Sequence, residues 1–181
     1  MATNLILKET PRTAKPVMSS GPTKFSMRGL PLLSSGASFD ALASADNLWV
    51  SVKVYSSGGE NALHRHRTED HAFVVLQGRA TFYFGDGSSC EARQFEGVML
   101  PKNVLYRFEA DEAENLVLLR IGGAQRNDLA NRLLQKHGVP SELAGNTFDA
   151  DGSTKVGSNP KTGTPSQPII PIPGKFFPPD R

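Results

Sequence analysis

From Leu48 to Ile121 the apolar residues come in short β-branched and aromatic runs broken by turn residues. Leu48-Trp49-Val50-Ser51-Val52-Lys53-Val54-Tyr55 opens the series and reads as a strand. Strand-like pieces follow around His64 and at 71–76, 80–84, 97–100, 105–109 and 116–121. Ser56-Ser57-Gly58-Gly59, Gln77-Gly78, Gly85-Asp86-Gly87 and Pro101-Lys102-Asn103 separate them as turn signals. Many short strands with few helices between them predict an all-β fold, an antiparallel sandwich or barrel. Ala80–Phe84 running into Gly85-Asp86-Gly87 predicts one arm of a hairpin.

Flanking this core the texture differs. Residues 1–44 are rich in Ser, Gly, Thr and Pro, with apolar islands at Leu5-Ile6-Leu7 and Leu30-Pro31-Leu32-Leu33, and read as an arm packed on the outside of the domain or on a partner subunit. The barrel is expected over 45–123. A short amphipathic helix is expected over 124–138, carrying Leu129, Leu133 and Leu134, with Gly138 to end it. His137, in its last turn, reads as structural. Residues 139–181 hold eight of the thirteen prolines and read as a tail. Its apolar end, Ile169 to Phe177, is expected to dock as an extended strand on a neighbour or to cover one end of the barrel.

Three of the four histidines fall between His64 and His71. Imidazole is the commonest side-chain metal ligand. His64 and His66 are two apart and share a face on a strand. The polar Arg67-Thr68-Glu69-Asp70 is expected to turn the chain, so that His71 opens an adjacent strand facing them. That pattern predicts a metal site clamped between the two strands, with Asp70 as a lesser candidate for the third ligand. On the simpler view the histidines are solvated loop residues. His71, Phe73 and Val75 share a face, as do Tyr106 and Phe108, so Phe73, Val75 and Phe108 are candidates for the pocket wall; core packing is their simpler role. Arg65 and Arg67 are expected to face the other way, and Arg79 and Arg120 are candidates to point inward onto a carboxylate.

Charge excludes one class of partner. The chain has 20 Lys and Arg against 18 Asp and Glu, and residues 45–138 alone hold eleven against twelve. A nucleic-acid groove needs a positive field that this composition does not supply. No apolar run approaches the roughly 20 residues that cross a bilayer, and Lys8, Glu9, Arg12 and Lys15 interrupt any apolar segment of signal-peptide type. Cys90, the single cysteine, has no partner for an internal disulfide, sits in an expected turn and is given no role. A cytoplasmic location is expected. Sheet edges and two apolar-studded arms predict a homodimer.

The spacing around the histidines resembles the first motif of the cupin family. Five residues separate Gly58 from His64, four separate His66 from His71, and six more lead to Gly78. His71 stands where that motif has Glu. The second motif is matched more loosely by Gly97, Pro101 and Tyr106, with Asn103 replacing a Gly and Tyr106 replacing a His. Asn tolerates the left-handed backbone that the Gly would supply. The resemblance covers roughly residues 45–123. It implies a double-stranded antiparallel β-barrel of jelly-roll type with a divalent metal on its inner wall. The implied ligands are His64, His66 and His71, with Tyr106 as a phenolate ligand or as the acid/base that orients substrate. The implied ion is iron first, with zinc, nickel, manganese or copper as alternatives. Three neutral imidazoles leave its charge uncompensated and favour an anionic substrate, a bound hydroxide or the Tyr106 phenolate itself. The implied activity is a mononuclear metal enzyme on a small organic acid or diketone-like compound, a dioxygenase or else a lyase or isomerase. The alternative is a non-catalytic small-molecule sensor in which metal is structural or grips the ligand.

Overall fold

The computed structural model describes residues 21–45, 47–56, 62–67, 69–124, 147–149 and 168–178. Along the chain the strands are β1 (Leu30–Ser35), β2 (Ala37–Ser44), β3 (Leu48–Tyr55), β4 (His64–His66), β5 (Glu69–Gln77) and β6 (Arg79–Phe84). There follow β7 (Ser89–Arg93), β8 (Gly97–Leu100), β9 (Tyr106–Ala110), β10 (Leu116–Ala124), β11 (Thr147–Asp149) and β12 (Ile170–Phe177). All pairings are antiparallel. One five-stranded sheet has the order β2-β3-β10-β5-β8, the other β11-β4-β9-β6-β7, and β1 pairs with β12 in a small third sheet. No helix among the described residues is long and apolar enough to cross a membrane.

The all-β antiparallel architecture matches the expectation from patterning, but no closed barrel forms among the described residues. Each large sheet has two open edges, and the sheets are joined by a shared core instead of continuous hydrogen bonding. The reason is the path of the chain, which shuttles between sheets: β4 lies in the second, β5 in the first, β6 and β7 in the second, β8 in the first, β9 in the second and β10 in the first. Alternation then turns one face of every strand inward. Tyr55, Phe73, Val75, Leu100, Leu116 and Leu118 from the first sheet meet Ala80, Phe82, Ala92, Tyr106, Phe108 and Ala110 from the second. Phe82 and Phe108 meet with tilted rings at 5.3 Å, and Tyr55 meets Phe108 edge-on at 5.1 Å.

The expected hairpin forms between β6 and β7, with Gly87 at φ 86° and Asp86 accepting the Ser88 N–H at 2.9 Å. Cys90 is therefore in a strand and not in a turn. Part of the stretch read as an outlying arm supplies β2, an edge strand of the first sheet. The apolar end of the tail finds its place within the same chain, as β12 against β1. β1 and β12 lie on the first sheet's outer face: Leu30 and Leu33 are buried with Val52, Val54 and Val117, and Phe177 packs against them. Asn115 fastens this layer by exchanging both hydrogen bonds with the Leu33 backbone. The helix expected over 124–138 lies outside the described residues apart from Ala124, which ends β10. His137 lies outside them too.

Candidate metal centre

The histidines do not sit on neighbouring strands of one sheet. β4 belongs to the second sheet and β5 to the first, so His64 and His66 face His71 across the interior. Their rings are buried, 5.2 Å apart for His64 and His66 and 4.2 Å apart for His66 and His71. The turn between these strands is shorter than the sequence suggested. β5 begins at Glu69, and Glu69 is only 1% exposed. It shares a face with His71 two residues on, and its Oε2 lies 2.8 Å from His71 Nε2.

His66, Glu69 and His71 each offer one donor atom, all within 4.8 Å of one another, so the three form a group that could hold a metal ion. Glu69 is the residue that sequence reading missed, because it was counted with a polar turn. The available signal was parity: it is in step with His71, Phe73 and Val75. Asp70, the lesser ligand candidate, faces out and accepts the Lys102 N–H at 2.8 Å, and so is not in the cluster.

Around this group stand the other expected residues. His64 holds its Nδ1 against the Ala62 carbonyl at 2.7 Å, which directs Nε2 elsewhere. Tyr106 opens β9 opposite His64, and its buried ring lies 4.4 Å from His64 and 6.1 Å from His66. Asn103 has the left-handed φ of 70° expected of it, and its N–H bonds the His66 carbonyl at 2.7 Å, so the turn braces the histidine strand. Phe73 forms a wall, 6.0 Å from His71 and 5.8 Å from Tyr106. Val75 and Phe108 are part of the buried core, where Phe108 packs on Tyr55, Phe73 and Phe82.

Arg120 does point inward. It is 6% exposed, and its Nη2 lies 3.3 Å from His66 Nε2 and 3.2 Å from His71 Nδ1. The guanidinium stacks 5.1 Å from the Trp49 ring and 5.4 Å from Phe73. Gly122 makes the room: it pairs with both His71 and Trp49, and a Cβ there would overlap the indole. Arg79 instead lies on the surface with Asp111 and Glu91.

These contacts assign the protons. Arginine only donates, so His66 Nε2 accepts; the guanidinium Nη2 lies nearer His71 Nδ1, at 3.2 Å, than Nε2, at 3.5 Å, and with Nδ1 as the acceptor the His71 Nε2 donates to the Glu69 carboxylate at 2.8 Å. Two imidazole lone pairs therefore converge on one positive group. That is the donor arrangement a metal ion requires, with Glu69 either ligating or fixing the orientation of His71 through its second nitrogen.

Residues 51–122 match the family model described as the Cupin domain. This stretch is a cupin domain. No curated protein matches the chain. Among solved structures, the chain is similar to KdgF from Halomonas sp. at 17% identity, over 52% of this chain and 84% of that one, with a TM-score of 0.47. It is similar also to the Cnp3 cupin domain of Schizosaccharomyces pombe at 15% identity, over 60% of this chain and 75% of that one, with a TM-score of 0.47. A third, a cupin superfamily protein from Desulfitobacterium hafniense, is 20% identical over 49% of this chain and 77% of that one, with a TM-score of 0.43.

Proposed function

We propose that this cupin is a mononuclear metal enzyme acting on a small organic acid or diketone-like compound. The observation that carries the reading is the buried His66, Glu69 and His71 group, reached from both sheets. His66 and His71 would hold the ion, with Glu69 as ligand or as the acceptor that fixes His71, and His64 and Tyr106 at its side. Bound there, an ion supplies a Lewis acid to an enolisable substrate or, as iron, the electrons for oxygen chemistry. The rest falls to the chain. Glu69 and Arg120 offset one another in charge, which leaves the ion's own charge to attract an anion. Phe73 and Trp49 exclude water beside the histidines. Tyr106 is placed to orient the substrate or to move a proton to and from it.

The test starts from protein purified without chelator. Elemental analysis should find a divalent ion, iron first, that is lost in the double variant His66→Ala, His71→Ala. An oxygen electrode then screens small acids and diketones. Oxygen uptake on turnover supports a dioxygenase, and turnover without oxygen a lyase or isomerase. Metal without turnover in either assay returns the site to a binding or sensing role, and wild-type protein that takes no metal overturns the reading.

A further inference from the structure

Arg120 stands where the ion would. Its Nη2 bridges the two lone pairs, His66 Nε2 and His71 Nδ1, that a metal at about 2.0–2.1 Å would need. A guanidinium and an ion cannot share those lone pairs. Its Nε is buried and has no hydrogen-bond partner among the described residues. A buried donor left so is costly, on the order of 1–3 kcal/mol, and points to a ligand that completes it. Nε and Nη2 lie on the same edge of the guanidinium plane, the edge that grips a carboxylate with two parallel hydrogen bonds. One arm of that fork rests on the histidines and the other is unfilled.

We propose that Arg120 determines the substrate class of this site by exchanging the histidine lone pairs for a carboxylate when an ion binds. The proposal rests on the metal reading above and deepens it. Without an ion, the guanidinium satisfies His66 and His71 and keeps the cluster assembled. When an ion takes the two nitrogens, Nη2 is displaced, and the Nε and Nη2 edge is left open on its Trp49 and Phe73 seat. Cation–π contact holds the plane in place there, so the freed fork stays in the site. A substrate carboxylate then meets a fork and an ion together, which a neutral diketone does not exploit. Of the two substrate classes, the acid is selected.

Zinc is titrated calorimetrically into metal-free wild type, Arg120→Met and Arg120→Lys, followed by malonate or the neutral malonamide into the zinc-loaded proteins. Arg120→Met should bind zinc about tenfold or more tighter, because a competing cation is gone, and should bind malonate at least about tenfold more weakly. Malonamide binding should not change. Arg120→Lys keeps the charge but lacks the fork, and should not restore malonate affinity. It carries the carboxylate test alone should Arg120→Met fail to fold. Unchanged malonate affinity in the folded variants overturns the proposal while leaving the metal site intact, as does unchanged zinc affinity in Arg120→Met. Wild type that binds no zinc, iron or manganese overturns the metal reading instead, and this proposal with it.

Discussion

At the scale of single residues, the site turns on a carboxylate and an imidazole two positions apart. Glu69 accepts from His71 Nε2 and so presents Nδ1 inward. Glu69→Gln removes the charge and keeps the shape. Metal affinity should fall by about 10- to 100-fold, as for the loss of an orienting carboxylate, read by calorimetry or by residual metal after dialysis. A variant with full affinity would show that Glu69 neither ligates nor orients. On the surface, the Asp111 carboxyl is held below its ordinary value by the hydrogen bond from Arg79 and then by the Ala113 N–H. A depressed carboxyl contributes stability above its unfolded pKa of about 3.9 and loses it as pH falls through the lower folded value. Asp111→Asn should therefore lower the melting temperature slightly at pH 7, and the difference from wild type should vanish near pH 2. A difference that persists in acid would rule the ion pair out as its source.

At the scale of elements, β10 carries the site's organisation. Leu116, Leu118 and Arg120 share its inner face, so the first two enter the core and the third brings a charge to its end. Gly122, next in step, has no side chain, and the Trp49 indole fills that space to meet His71 edge-on at 5.4 Å. Gly122→Ala must push the indole aside. The cost should be about 1–3 kcal/mol by urea denaturation, as for overpacking of a filled interior, with quenching or shift of the Trp49 fluorescence, the chain's one tryptophan. Unchanged stability and fluorescence would show that the indole has another resting place.

At the scale of the whole molecule, β1 and β12 cover only part of the first sheet's outer face among the described residues. β1 and β12 lie over Val52, Val54 and Val117. Beyond them a row runs from Val50 through Ile121 and Ala72 to Met99 across three pairings, with Leu48 beside it. Met99 is 67% exposed and Leu48 50%. We propose that this face pairs with a second copy, since an apolar row crossing a sheet is a common site of association. Light scattering should give twice the chain mass, and the double variant Leu48→Lys, Met99→Lys should return it to monomer. A monomeric wild type would end the proposal.

Local chemistry was enough to reveal β3 to β6 and β8 to β10, the hairpin at Gly85-Asp86-Gly87, the left-handed Asn103 and the histidine cluster, because turn residues, alternation and ligand type all act over a few positions. Which strands face each other is set by pairing at long range. So only the fold could place His66 and His71 on opposite sheets, bring Glu69 out of an apparent turn, and carry Arg120 from 54 and 49 residues away onto their lone pairs.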